Sequence, residues 1–169
     1  MKNYIPLNSV AIENSSLTKE DKIILSQKGF PTTEETPILY GSYEPFSNEI
    51  KELSTHLGQG YELAFDKLTE AILLYIPQKG IYFYDSENKT SLDFLNTSLQ
   101  QFYDCMDSAF LFFKNYPVFI DEFGSDFPKN AKQIIKKLKA ELKIIDKMSF
   151  KDENSGWSVF IEELEYLID

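Results

Sequence analysis

The chain has 169 residues, 43% of them hydrophobic, with 27 acids against 17 bases and a formal net charge of −10. At that length folding buries roughly 70% of the unfolded chain's surface, and the 24 Phe and Tyr residues argue for a real core rather than disorder. Every base is lysine, which disfavours binding of a nucleic-acid backbone, a task for a net basic surface and usually for guanidinium forks on phosphate.

Residues 1–16 are polar and read as an irregular segment, with Pro6 and the cluster Asn14-Ser15-Ser16. They lack the apolar run of a signal peptide. The longest apolar runs, Ala71 to Ile76 and Ala109 to Phe113, are far short of the ~20 residues that span a bilayer, so no membrane association and a cytoplasmic location are expected. A first helix follows, capped by Thr18 with Asp21 three residues on, carrying Ile23, Ile24 and Leu25 and stopped by Gly29. Pro37 to Tyr40 is a candidate short strand, and Asn48 to Leu57 a weak helix ending in Gly58-Gln59-Gly60.

The middle third reads as sheet. Tyr61 to Phe65, Ala71 to Ile76 and Ile81 to Tyr84 are β-branched or aromatic runs separated by hairpin-length breaks, which predicts an antiparallel meander. A polar loop, 85–90, leads to Leu92-Asp93-Phe94-Leu95. Three helices fill the rest. The first starts at Asn96 or Thr97 and carries Leu99, Phe102, Met106, Ala109, Phe110 and Phe113 at spacings of three and four. The second starts near Pro128, with Ala131, Ile134, Ile135, Leu138, Leu142 and Ile145 on one face and lysines on the other. The third runs from about Trp157, with Phe160, Ile161 and Leu164 inward and Glu162, Glu163 and Glu165 outward. The fold class is α+β, with helices packed on an antiparallel-rich sheet.

Few residues offer chemistry. Cys105 is the only cysteine and His56 the only histidine, with no local signature joining them as a nucleophile and its base. Asp121-Glu122 with Asp126, and Asp85 with Glu87, lack calcium-loop spacing. Gly58-Gln59-Gly60 lacks the lysine of a phosphate-cradling loop. No catalytic residue, metal or cofactor is therefore assigned.

Charge is uneven. Residues 129–151 hold 8 lysines and 2 acids, whereas residues 152–169 hold 6 acids and no lysine. The basic helix reads as a solvated face partly neutralised by the acidic helix after it. The composition fits a protein that binds a basic partner, acids speeding the encounter and aromatic rings supplying buried contacts. The candidate contact residues are Asp85, Glu87 and Asp93 in one loop region and Asp121, Glu122 and Asp126 in another, with Tyr84 and Tyr116 beside them.

Gly80-Ile81-Tyr82-Phe83-Tyr84-Asp85, followed by Leu95-Asn96-Thr97-Ser98-Leu99-Gln100-Gln101-Phe102, resembles the SUKH superfamily of bacterial immunity proteins. The Gly29-Phe30-Pro31 turn after the first helix is similar to that of its fourth group, and so is Trp157 opening an acidic last helix. The resemblance implies a single domain over residues 1–169. It implies a protein that binds and neutralises a cognate secreted polymorphic toxin, such as a nuclease or deaminase domain, without catalysis, acting as a monomer or weak homo-oligomer. Relatives of the superfamily also serve as scaffolds, so a non-catalytic adaptor or regulatory domain of the same fold is the alternative.

Overall fold

The computed structural model describes residues 3–32, 43–46, 49–67, 70–85, 91–120 and 126–168. The expected meander is its centre. Strands β5 (Gly58–Asp66), β6 (Ile72–Ile76), β7 (Gly80–Tyr84) and β8 (Leu92–Asn96) pair antiparallel in chain order. β3 (Tyr43–Pro45) and β4 (Lys51–Thr55) share the far edge of β5, β3 against residues 64–66 and β4 against residues 58–62. Six strands thus form one sheet with β8 at the other edge. The Pro37 to Tyr40 stretch lies outside the described residues.

Side-chain alternation along these strands makes two cores. Leu73, Tyr75, Ile81 and Phe83 join the large cluster that receives the C-terminal helices α3 (Leu99–Asn115), α4 (Ala131–Ile145) and α5 (Gly156–Tyr166). Leu74, Ile76, Tyr82 and Tyr84 point to the opposite face, where half-buried Leu53, Leu57, Ile72, Leu92 and Phe94 surround them. A strand buried on both faces needs a continuous apolar run, and Gly80–Tyr84 supplies one. Gly80 itself has φ +122°, and a Cβ there would sit 2.4 Å from the Asn96 carbonyl oxygen, so glycine lets β7 begin this close to the end of β8.

The helices follow their apolar spacing. In α2 (Lys19–Lys28), Thr18 caps as expected: its Oγ1 accepts from the Asp21 amide at 3.2 Å and donates to the Asp21 carboxylate at 2.7 Å. Gly29 ends the helix at φ +66°. Of the three consecutive apolar residues only Leu25 is buried, because adjacent positions on a helix point in different directions. α4 buries Ala131, Ile134, Ile135, Leu138 and Leu142, and α5 buries Trp157, Phe160, Ile161 and Leu164.

Two expectations are corrected. Residues 1–16 are not irregular throughout: β1 (Asn3–Ile5) pairs with β2 (Phe30–Thr32), and α1 (Ser9–Asn14) is capped by Asn8, whose Oδ1 accepts from Val10 N and Ala11 N. Leu7, Ala11, Ile12 and Leu17 are buried and tie this polar-looking stretch to the core. Within the stretch expected as a weak helix, 48–57, residues 51–55 are instead β4, joined to β5 by the two-residue turn His56-Leu57, and residue 48 lies outside the described residues. Thr55 Oγ1 donates to the Gly58 carbonyl at 2.8 Å and accepts from Leu57 N at 3.1 Å, and Gly58 takes φ +133°. That turn chemistry and pairing along Gly58 to Glu62 outweigh a helical pattern that had only Ile50, Leu53 and Leu57 as apolar support.

Candidate partner-binding surface

The first expected group of acids sits where β7 and β8 meet the linker into α5. Asp93 pairs across the sheet with Phe83, and Asp85 follows the end of β7. Both are exposed. The Asp93 carboxyl is held above the ordinary aspartate range, first by partial burial and then by repulsion from Asp152 and Asp85. Three carboxylates therefore share one neighbourhood, and Asp152 was missed in the sequence because it lies 59 positions beyond Asp93. Glu87 lies outside the described residues.

The second group is only partly described. Asp121 and Glu122 fall outside the described residues, and Asp126 is exposed. Tyr116, at the C-cap of α3, is 36% exposed and packs on Phe112 at 5.4 Å between ring centroids. Phe119, in a short 3₁₀ turn (Pro117–Ile120), continues the row to Phe127 at 5.3 Å, which carries Asp126 next to this aromatic seam. Tyr116 also borders a groove of about 210 Å³ between α3 and α4, lined by Leu111, Phe112, Ile134 and Leu138. Tyr84, expected beside the acids, is buried at 6% exposure in the smaller core, so its ring is a packing element.

What positions the first group is a buried polar network. The helix start expected at Asn96 or Thr97 falls slightly later: Ser98 caps α3, its Oγ accepting from Gln101 N at 3.3 Å and donating to Gln101 Oε1 at 2.9 Å. Asn96, fully buried at the end of β8, faces inward instead. Its Nδ2 reaches Asp146 Oδ2 at 3.2 Å and Ser149 Oγ at 3.1 Å, and its Oδ1 accepts from Trp157 Nε1 at 2.9 Å. Asp146, 1% exposed, also accepts from Thr97 N (2.6 Å), Thr97 Oγ1 (2.9 Å) and Met148 N (3.1 Å). Ser149 Oγ donates to the Leu95 carbonyl at 2.6 Å, and Ser155 Oγ donates to the Ser149 carbonyl. These bonds hold the linker that carries Asp152 against β8, which is how Asp152 arrives beside Asp93.

The residues weighed for catalysis are not brought together. His56 is exposed in the β4–β5 turn at one edge of the sheet, whereas Cys105 is buried beside Asn96 at the end of β8, the other edge. Burial pushes the Cys105 thiol up to about 12, so it stays protonated and unreactive at neutral pH. Among the described residues, no group of three or more His, Cys, Asp or Glu could hold a metal ion, and no helix is long and apolar enough to cross a membrane.

A family model described as SUKH-4 immunity protein matches residues 8–163. The chain belongs to the SUKH-4 immunity protein family. No curated protein and no solved structure matches the chain. In this SUKH-4 member the stretch that carries the resemblance has a physical role at each position. Leu95 and Leu99 fill the large core, Asn96 joins β8 to the later helices, Thr97 saturates Asp146, Ser98 caps α3 and Phe102 packs edge-on against Tyr43 at 5.8 Å. Gly156 belongs to the same arrangement. A Cβ there would meet Leu95 Cδ1 at 2.7 Å, so the first turn of α5 lies directly on β8.

Proposed function

We propose that this SUKH-4 protein neutralises a cognate secreted toxin domain of nuclease or deaminase type by covering its basic cleft with an acidic surface. Asp85 and Asp93, together with Asp152, form one part of that surface and Asp126 and Tyr116 another; Glu87, Asp121 and Glu122, outside the described residues, complete the set of contact residues. The observation that carries the reading is the shared neighbourhood of Asp85, Asp93 and Asp152, in a chain whose family is one of immunity proteins. Partial burial and then repulsion from Asp152 and Asp85 raise the Asp93 carboxyl, and a lysine or arginine of a basic partner would relieve the repulsive part, which favours the complex. Neutralisation then needs only occlusion. The bound protein excludes substrate from the cleft, with no chemistry of its own.

Co-expression tests this reading. A toxin domain encoded beside this gene should arrest growth when expressed alone and lose that effect when this protein is supplied with it, through a 1:1 complex recovered at low salt. Growth arrest unaffected by the protein, with no complex at low salt, would remove the proposal.

A further inference from the structure

The two most strongly charged segments of the chain are adjacent, opposite and equal. Residues 129–151 carry 8 lysines and 2 acids, and residues 152–169 carry 6 acids and no lysine. Both helices lay their apolar faces on the same core, α4 through Ile135, Leu138 and Leu142 and α5 through Phe160, Ile161 and Leu164. That packing turns the charged faces outward. Lys136, Lys143 and Lys147 are exposed, as are Glu162, Glu163 and Glu165. Among the described residues no ion pair joins Lys136, Lys137, Lys139, Lys143 or Lys147 to any acid. Lys143 Nζ instead lies 5.4 Å from the centroid of the Phe150 ring. On the acidic side, the Glu163 carboxyl is raised by partial burial and then by neighbouring Glu162, with no compensating lysine.

The same stretch also exposes large apolar groups. Ile144 is 86% exposed, Met148 47% and Tyr166 83%, and such side chains are what the desolvated centre of an interface uses. The lysine side of α4 and the glutamate side of α5 are both exposed, where a second molecule can meet them.

We propose that this face binds a second copy of the chain, the lysine side of α4 in each molecule against the glutamate side of α5 in the other. Because α4 and α5 are packed neighbours, a twofold axis makes the two contacts equivalent, giving a closed dimer rather than a filament. The charge match on the chain itself favours this occupant over a polyanion. A nucleic acid would find no arginine on the lysine face and acids over the rest of the surface. Repulsion between two acidic molecules acts over a Debye length of about 8 Å at physiological salt, so opposite charges in direct contact decide the association and make it weak. The proposal is independent of the toxin reading, since self-association is measured on the protein alone.

Sedimentation equilibrium tests it, at protein concentrations from about 10 to 500 μM in 50 and 500 mM NaCl. The wild-type protein should approach twice the chain mass of 19.6 kDa at low salt and weaken at least tenfold in dimer affinity at high salt. K136E/K143E and E162K/E165K should each be monomeric, and an equimolar mixture of the two should recover the dimer because both contacts are then complementary again. All substituted side chains are exposed, and an unchanged circular dichroism spectrum and melting temperature check that each variant is folded. A wild-type protein that stays at chain mass at 500 μM in 50 mM NaCl would overturn the proposal. So would a dimer that survives both charge reversals, or a mixture that fails to restore it. Lysine-dependent retention of a duplex oligonucleotide without self-association would assign the face to a polyanion and would equally overturn it.

Discussion

Replacing Asp146 by alanine is expected to lower the unfolding free energy by about 3 kcal/mol, and the melting temperature by roughly 6–12 °C for a chain of this size. The carboxylate is buried, and it is satisfied by two backbone amides, one hydroxyl and one carboxamide rather than by a cation. Truncation takes that acceptor from the buried Asn96 Nδ2 and from the part-buried Thr97 N and Met148 N, and a buried donor that loses its acceptor costs more than the net value of the bond. The damage also has a direction. The Asp146 bonds join the end of β8 to the turn after α4, so their loss frees the linker that brings Asp152 to Asp93. Thr97→Val removes only the hydroxyl contact and should cost about 1 kcal/mol. Urea unfolding of both variants checks the ranking; equal, sub-kilocalorie effects would mean that this network does not hold the two halves together.

Trp157→Ala carries the second large effect, about 4 kcal/mol. The indole is 1% exposed and meets Phe160 edge-to-face at 5.4 Å, so truncation opens a cavity where α5 crosses the large core. It also strips Asn96 Oδ1 of its donor, the indole N–H at 2.9 Å. Trp157→Phe separates the two contributions. It retains most of the buried ring and loses the hydrogen bond, and should cost about 1–2 kcal/mol. Unfolding curves for the pair measure the division, and a phenylalanine variant as damaged as the alanine one would show that the hydrogen bond dominates.

Both effects come from residues whose roles were only half legible in the sequence. The periodicity of α3, α4 and α5 was plain because spacings of three and four persist over several turns, and the meander because its runs and breaks have hairpin lengths. The failures share a cause. Asn96 read as a helix start because Asn favours that position, and nothing near it in the chain announces partners 50, 53 and 61 residues away. β4 read as a weak helix because its pairing with Gly58 to Glu62 is a property of the turn between them. The candidate acids were legible as residue types and not as geometry. Asp85 and Asp93 do share a neighbourhood, but Asp152 joins them through the buried network of Asn96, Asp146, Ser149 and Ser155, and Tyr84 alternates into the second core. The lysine helix was recognised, whereas the outward direction of its charged face depends on how α4 and α5 pack on the core.

The acidic surface is the central claim, and the rate of association with the toxin domain, measured by stopped flow against ionic strength, tests it most directly. Electrostatic steering predicts a rate constant that falls at least tenfold between 50 and 500 mM NaCl, and a D85K/D93K/D152K variant that starts at least tenfold slower at low salt with a much shallower salt dependence. A rate that is flat in salt, or unchanged by the triple reversal in a folded variant, would contradict the acidic face as the surface that meets the toxin.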